Sequence, residues 1–243
     1  MDEFFQGLEA EVEDEGFISP LTIGLLVIFL TTLILVLRKF FLTKRNTFLI
    51  LGLHEAGKTF LFSKLINKES VPVTYTSLKE NEFYGYKNVY GKELNLVDFP
   101  GAERLREQLF SKYFDKNRGL IRGVIFVVDS SNFSAKVRDV AEFLYDVLRK
   151  SPSGSSILIA CNKQDIELAK SSQAIKNMLE REIGLINSSR SAALETTDGS
   201  SSHKVLTSTG KNFSWTDLPK IKIDFLDCCA DKEIKNESGE LLN

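Results

Sequence analysis

Residues 47–59 read Thr47-Phe-Leu-Ile-Leu51-Gly52-Leu-His-Glu-Ala-Gly57-Lys58-Thr59. A short apolar run ends at a glycine, and the eight residues from Gly52 fit G-x-x-x-x-G-K-[ST]. This is the order strand, phosphate-binding loop, helix. The apolar run reads as a buried parallel strand, and Leu61, Leu65 and Ile66 mark one face of a helix behind the loop. The glycines let the backbone wrap a phosphate. Successive N–H groups and the positive end of the helix attract the anion. Lys58 reaches the β- and γ-phosphates, and the Thr59 hydroxyl is a ligand for Mg²⁺. The candidate nucleotide contacts are therefore Gly52, Leu53, His54, Glu55, Ala56, Gly57, Lys58, Thr59 and Phe60.

Outward from this loop the same rhythm repeats. Apolar runs at 93–98, 123–129, 156–161 and 221–227 alternate with helical patterns. Val137, Val140, Leu144, Val147 and Leu148 share one helical face, and so do Ile175, Met178, Leu179 and Ile183. Strands alternating with helices predict an α/β fold, a mostly parallel sheet covered on both faces, with ligands at the carboxyl ends of the strands.

Three further stretches sit at those ends. Asp98 closes the run at 93–98 and opens Asp98-Phe-Pro-Gly101. A carboxylate there approaches Mg²⁺, through a water, and the Gly101 N–H can donate to a γ-phosphate. Asn162-Lys163-Gln-Asp165 follows the run at 156–161. The Asp165 carboxylate can accept two hydrogen bonds from guanine N1–H and its exocyclic amine, a pair that adenine does not offer. GTP is thus preferred over ATP. Ala230, after the last strand, is placed for its N–H to meet the guanine oxygen, although two cysteines, Cys228 and Cys229, ending a strand fit equally. Between the first helix and the second strand lie Thr74, Tyr75, Thr76 and Ser77. A threonine here completes the Mg²⁺ shell when the γ-phosphate is present. Thr76 is preferred, with Thr74 or a plain surface loop as alternatives. The metal set is therefore Thr59, Thr76 and Asp98.

Residues 21–37 (LTIGLLVIFLTTLILVL) carry no charge. At helical rise they span about 26 Å, enough for a thin bilayer. Residues 1–20 hold seven acids and no base, and Arg38, Lys39, Lys44 and Arg45 follow the run. The positive-inside rule puts the basic segment 38–45 in the cytosol and the acidic residues 1–20 in the lumen. An acidic leader without a small-residue cleavage site argues against a secretory signal. The net charge of −2 argues against nucleic-acid binding. The odd count of three cysteines suits a reducing compartment. Residues 46–243 form the cytosolic domain. Within it 187–212, where 13 of 26 residues are Ser, Thr or Gly, is expected to be a flexible insertion.

Taken in order, these elements resemble the Ras-like small GTPases, within the P-loop NTPases, and GLHEAGKT is most similar to the Arf and Sar branch. The architecture resembles the family of signal recognition particle receptor β subunits. The features are the single N-terminal span, Thr74-Tyr-Thr76-Ser77, Asp98-Phe-Pro-Gly101, Ile159-Ala-Cys-Asn-Lys163 and the Ser-rich insertion, over roughly residues 20–232. That resemblance implies GTP and Mg²⁺ as cofactors and a single-pass protein of the endoplasmic reticulum membrane. It implies a GTP-dependent hold on the longin-like N-terminal domain of the receptor α subunit, close to ribosomes and the translocon. A cycling Arf-like GTPase of vesicle traffic is the alternative.

Two departures stand out. Ala102 occupies the position where many small GTPases carry a water-orienting glutamine and this family often has histidine, so low intrinsic GTPase activity is expected. A short polar stretch, Asp231–Asn243, stands where a long C-terminal helix is usual. One sheet face is then less covered, or covered by the partner.

Overall fold

The computed structural model describes residues 20–41, 45–67, 77–195, 205–207 and 213–231. The chain divides into two units, Met1–Thr43 and Lys44–Asn243.

Among the described residues, the first unit contains one helix, α1 (Pro20–Phe41). Its stretch Pro20–Leu37 has a mean hydropathy of 2.6 and no buried side chain, and is long and apolar enough to cross a membrane. The hydroxyls of Thr31 and Thr32 donate to the carbonyls of Ile28 and Phe29 at 2.9 Å. Their polarity is thus satisfied within the helix, as a hydrocarbon environment demands.

The second unit is a six-stranded sheet built from β1 (Thr47–Leu51), β2 (Asn81–Lys87), β3 (Glu93–Asp98), β4 (Ile121–Asp129), β5 (Ser156–Asn162) and β6 (Lys222–Asp227). The spatial order is β2-β3-β1-β4-β5-β6. Among the described strands, only β2 runs antiparallel to its neighbour. The central strands are near-continuous apolar runs because both faces are covered. On one face lie α4 (Phe133–Lys150), α5 (Ser172–Glu195) and the helical stretch 103–116, which contains α3 (Arg106–Leu109). Leu49, Phe126, Leu144, Ile159, Leu179 and Ile183 are all fully buried there. The other face packs Ile50, Leu96, Val127 and Ala160 against Phe62 of α2 (Lys58–Ile66). On this face Ile125 and Leu158 are half-buried and Leu226 is exposed.

Two elements differ from the sequence reading. β2 has no long apolar run; half-buried Asn81 and Phe83 alternate with exposed Glu82 and Tyr84, as suits an edge strand with one wet face. Residues 187–195, expected to open a flexible insertion, instead complete α5. Tertiary contacts override composition here. The Tyr145 hydroxyl of α4 donates to Asn187 Oδ1 at 3.0 Å, and Arg190 pairs with Asp146 at 2.6 Å. The Leu206 N–H returns to both Tyr145 Oη (3.1 Å) and Asn187 Oδ1 (3.0 Å), and Asn187 Nδ2 donates to the Thr207 carbonyl. The rest of the Ser-rich stretch, 196–204 and 208–212, lies outside the described residues. Past it, Phe213, Trp215 and Phe225 form an edge-to-face aromatic chain that closes β6 against α5, and Trp215 Nε1 donates to the Lys176 carbonyl.

Candidate functional site

The strand order reverses beside β1, so the loops after β1, β3, β4, β5 and β6 gather at one edge. They enclose a cleft of about 560 Å³ whose lining includes His54, Lys58, Thr59, Gly101, Asp165 and Ala230.

The loop Gly52–Gly57 earns its glycines. Gly52 has φ +142°, and a Cβ there would meet the Val127 carbonyl oxygen at 2.2 Å. Gly57 has φ +90°, and a Cβ would meet Asn162 Nδ2 at 2.4 Å. Glu55 takes a left-handed φ of +64° without being glycine, and its carboxylate pairs with Lys136 at 3.5 Å. Lys58 is 6% exposed. Its Nζ donates to the Leu53 carbonyl at 2.7 Å, which bends the side chain back over the loop. Burial pushes this lysine down to about 8, with Asp98 partly opposing.

At the same end, Thr59 Oγ1 donates to Asp98 Oδ2 at 2.7 Å and lies 3.1 Å from Ser77 Oγ. Asn81 Nδ2 donates to the same carboxylate oxygen at 3.0 Å. Burial pushes the Asp98 carboxyl up, against the hydrogen bonds from Thr59 and Asn81 and the charge of Lys58. The other oxygen, Oδ1, is buried without a hydrogen-bond partner among the described residues. A buried, unsatisfied carboxylate oxygen is costly unless a cation or an ordered water meets it. Gly101 closes on the loop from the opposite side: a Cβ there would lie 2.5 Å from the His54 nitrogen. Ala102, next along, exposes only a methyl group. The expected threonine ligand at Thr76, with its neighbours Thr74 and Tyr75, lies outside the described residues; of that segment Ser77 is seen, against Thr59.

At the far end, Asn162 is buried and works in two directions. Its Nδ2 donates to the Ala56 carbonyl and its Oδ1 accepts from the Ala230 N–H, both at 3.0 Å. The Ala230 N–H, expected to face a guanine oxygen, is thus given to Asn162. The Asp165 carboxylate is exposed in the cleft, with Cys229 Sγ 3.2 Å from its Oδ1. Cys161 is buried behind the site and pushed up to about 12 by that burial.

One residue escaped the sequence reading. Asp129, the last residue of β4, pairs with Lys163 at 2.6 Å. Its register partner on β5 is Asn162. That pairing is invisible without the sheet register, although an acid closing an apolar strand was the available signal.

Residues 43–222 match the family described as Signal recognition particle receptor beta subunit. The chain is 38% identical over 229 residues to the signal recognition particle receptor subunit beta of Mus musculus, covering 91% of this chain and 82% of that one. Among solved structures, that of the mammalian SRP receptor aligns with a TM-score of 0.64 at 39% identity, over 76% of this chain and 91% of that one. An SRb-GTP/SRX complex from Chaetomium thermophilum shares the fold, with a TM-score of 0.59 at 21% identity, over 79% of this chain and 95% of that one.

Proposed function

This chain belongs to the signal recognition particle receptor beta subunit family, and from that premise we propose that it holds the receptor α subunit at the endoplasmic reticulum membrane while GTP and Mg²⁺ fill its cleft. The observation that carries the reading is the layout of that cleft. Lys58 and Thr59 line one end, with the buried Asp98 carboxylate bonded behind Thr59, its Oδ1 without a hydrogen-bond partner among the described residues, and Asp165 lines the other. This layout supports phosphate and base recognition in one cavity.

The donor set fits a hard divalent cation, which takes hydroxyl, carboxylate and water oxygens. Thr59 and Thr76 would hold Mg²⁺ directly and Asp98 through water. When bound, Mg²⁺ neutralises charge between the β- and γ-phosphates. Lys58, already stripped of water, gains a phosphate as counter-charge. Asp165 selects guanine by accepting two hydrogen bonds. Ala102 leaves the attacking water without a side chain to orient it, so the domain keeps its GTP rather than turning it over.

The partner surface follows from what the γ-phosphate would order, residues 74–77 and 98–103. Phe99 and Pro100 of the second segment line a groove of about 700 Å³ together with Leu78, Glu80, Glu82, Leu105, Gln108 and Lys112, where the longin-like domain of the α subunit would dock. α1 anchors the chain, with the basic residues 38–45 and the GTPase domain cytosolic and residues 1–20 lumenal. On this reading the chain would come near ribosomes and the translocon through its partner, without nucleic-acid contact of its own.

Affinity purification of the detergent-solubilised chain tests the reading: the α subunit is recovered with GTP and not with GDP. Equal recovery in both would overturn the nucleotide dependence. Fast unassisted hydrolysis in a single turnover would overturn the holding role. Protease added to intact microsomes should digest residues 46–243; their protection reverses the orientation.

A further inference from the structure

Asp129 and its turn brace the base-reading loop more closely than any motif in the sequence would suggest. Lys163 has a left-handed φ of +66°, a conformation that non-glycine residues adopt only when something holds them. The loop's own backbone contributes, with the Ile166 N–H donating to the Lys163 carbonyl and the Gln164 N–H to the Cys228 carbonyl, both at 3.2 Å, and Asp129 fixes the side chain. The Asp129 Oδ2 accepts from Lys163 Nζ at 2.6 Å. Its Oδ1 accepts from the Ser131 hydroxyl at 2.6 Å and from the backbone N–H groups of Ser131 and Asn132 at 3.1 and 3.2 Å. With one oxygen tied to the turn before α4, the carboxylate cannot swing, and the ammonium has a fixed address. The same turn adds two clamps: the Ser130 N–H donates to the Asn162 carbonyl at 3.0 Å, and Gln164 Nε2 donates to Ser130 Oγ at 3.0 Å.

We propose that Asp129 is a positioning residue for guanine recognition: by anchoring Lys163 it holds the Asn162–Asp165 loop in the conformation that presents Asp165 to the cleft. This deepens the reading of the cleft as a guanine-nucleotide site and rests on it. Burial pushes the Asp129 carboxyl up, but Lys163 and Ser131 outweigh it and hold the group below its usual range, so it carries its charge at neutral pH. Removing that charge frees Lys163 to leave its left-handed backbone, and Asp165, two residues on, loses its aim.

Release of a fluorescent GDP analogue from the detergent-solubilised full chain tests this. Asp129→Asn should speed release about 10–100-fold, the worth of a charge-assisted hydrogen bond. Lys163→Ala should do the same, and the double variant should add less than about twofold, because the two residues act as one unit. Ser131→Ala separates a merely structural role: Asp129 Oδ1 keeps the backbone N–H groups of Ser131 and Asn132, so the carboxylate stays aimed at Lys163; the melting temperature falls, yet release stays within about twofold of wild type. Asp129→Ser, which can still cap the turn but cannot pair with Lys163, should release GDP as fast as Asp129→Asn and stands in if the latter does not fold. Wild-type release rates in folded Asp129 variants, or single effects that multiply in the double variant, overturn the proposal. A wild-type chain that retains no guanine nucleotide overturns both the proposal and the reading beneath it.

Discussion

Asn162 and Ala56, 106 residues apart in the chain, are joined by a side-chain hydrogen bond of 3.0 Å from Nδ2 to the carbonyl. Because Asn162 Oδ1 also receives the Ala230 N–H, one buried amide ties the phosphate loop to both loops at the base end. The cleft therefore has a rigid floor. Gly57 must be glycine partly for this reason, since a Cβ would strike that same Nδ2.

Asn162→Ala leaves the Ala56 carbonyl and the Ala230 N–H without their partner, at about 1–3 kcal/mol each if they stay buried. We expect a lower melting temperature and GDP affinity weakened about 100-fold. Equilibrium titration with GDP beside thermal unfolding checks this; unchanged affinity in a folded variant would show that the floor is not needed.

Lys58 links the site to pH. Its folded value of about 8 lies below its ordinary 10.5. Between these values the unfolded chain holds a proton that the folded domain has lost, so nucleotide-free stability rises with pH across that window and carries the full burial cost below it. Lys58→Met should therefore stabilise the nucleotide-free domain at pH 7, by on the order of 3 kcal/mol at most. The advantage shrinks toward pH 10.5, and added GDP no longer stabilises the variant. Denaturant unfolding at several pH values measures this, and a gap that does not change with pH counts against it.

Asp98 bears on the metal. An amide at this position cannot supply the second anionic oxygen, and Asp98→Asn should weaken Mg²⁺ about 10–100-fold, as loss of a water-mediated ligand does. In wild type, chelation with EDTA should speed GDP release; in the variant, release should already be fast and EDTA should add little. A variant with the full EDTA response of the wild type would remove Asp98 from the metal's shell.

Asp165→Asn exchanges an acceptor for a donor facing the base. GTP affinity should fall about 100-fold or more, because a hydrogen-bonding site left mismatched is penalised heavily. Xanthosine triphosphate, with an oxygen in place of the guanine amine, should gain. Competition between the two nucleotides reads the switch, and undiminished guanine preference would move base selection elsewhere.

The sequence by itself determined much of this protein. An apolar run, a glycine turn and a lysine within 47–59 specify strand, loop and helix because phosphate wrapping needs that local order, and all five predicted strands form at their expected places. The apolar length of 21–37 alone marks α1, since bilayer thickness is a one-dimensional requirement. What the tertiary structure decided are the relations between distant residues. Edge strand β2 has little apolar signal of its own and exists because β3 offers it a hydrogen-bonding edge. The Ser-rich residues 187–195 are helical because Tyr145 and Asp146 wait on α4. Asp129 meets Lys163 only through the register of β4 on β5. Local pattern reports what a segment can form on its own; which side chains meet across strands depends on register and packing, which arise only when the sheet assembles.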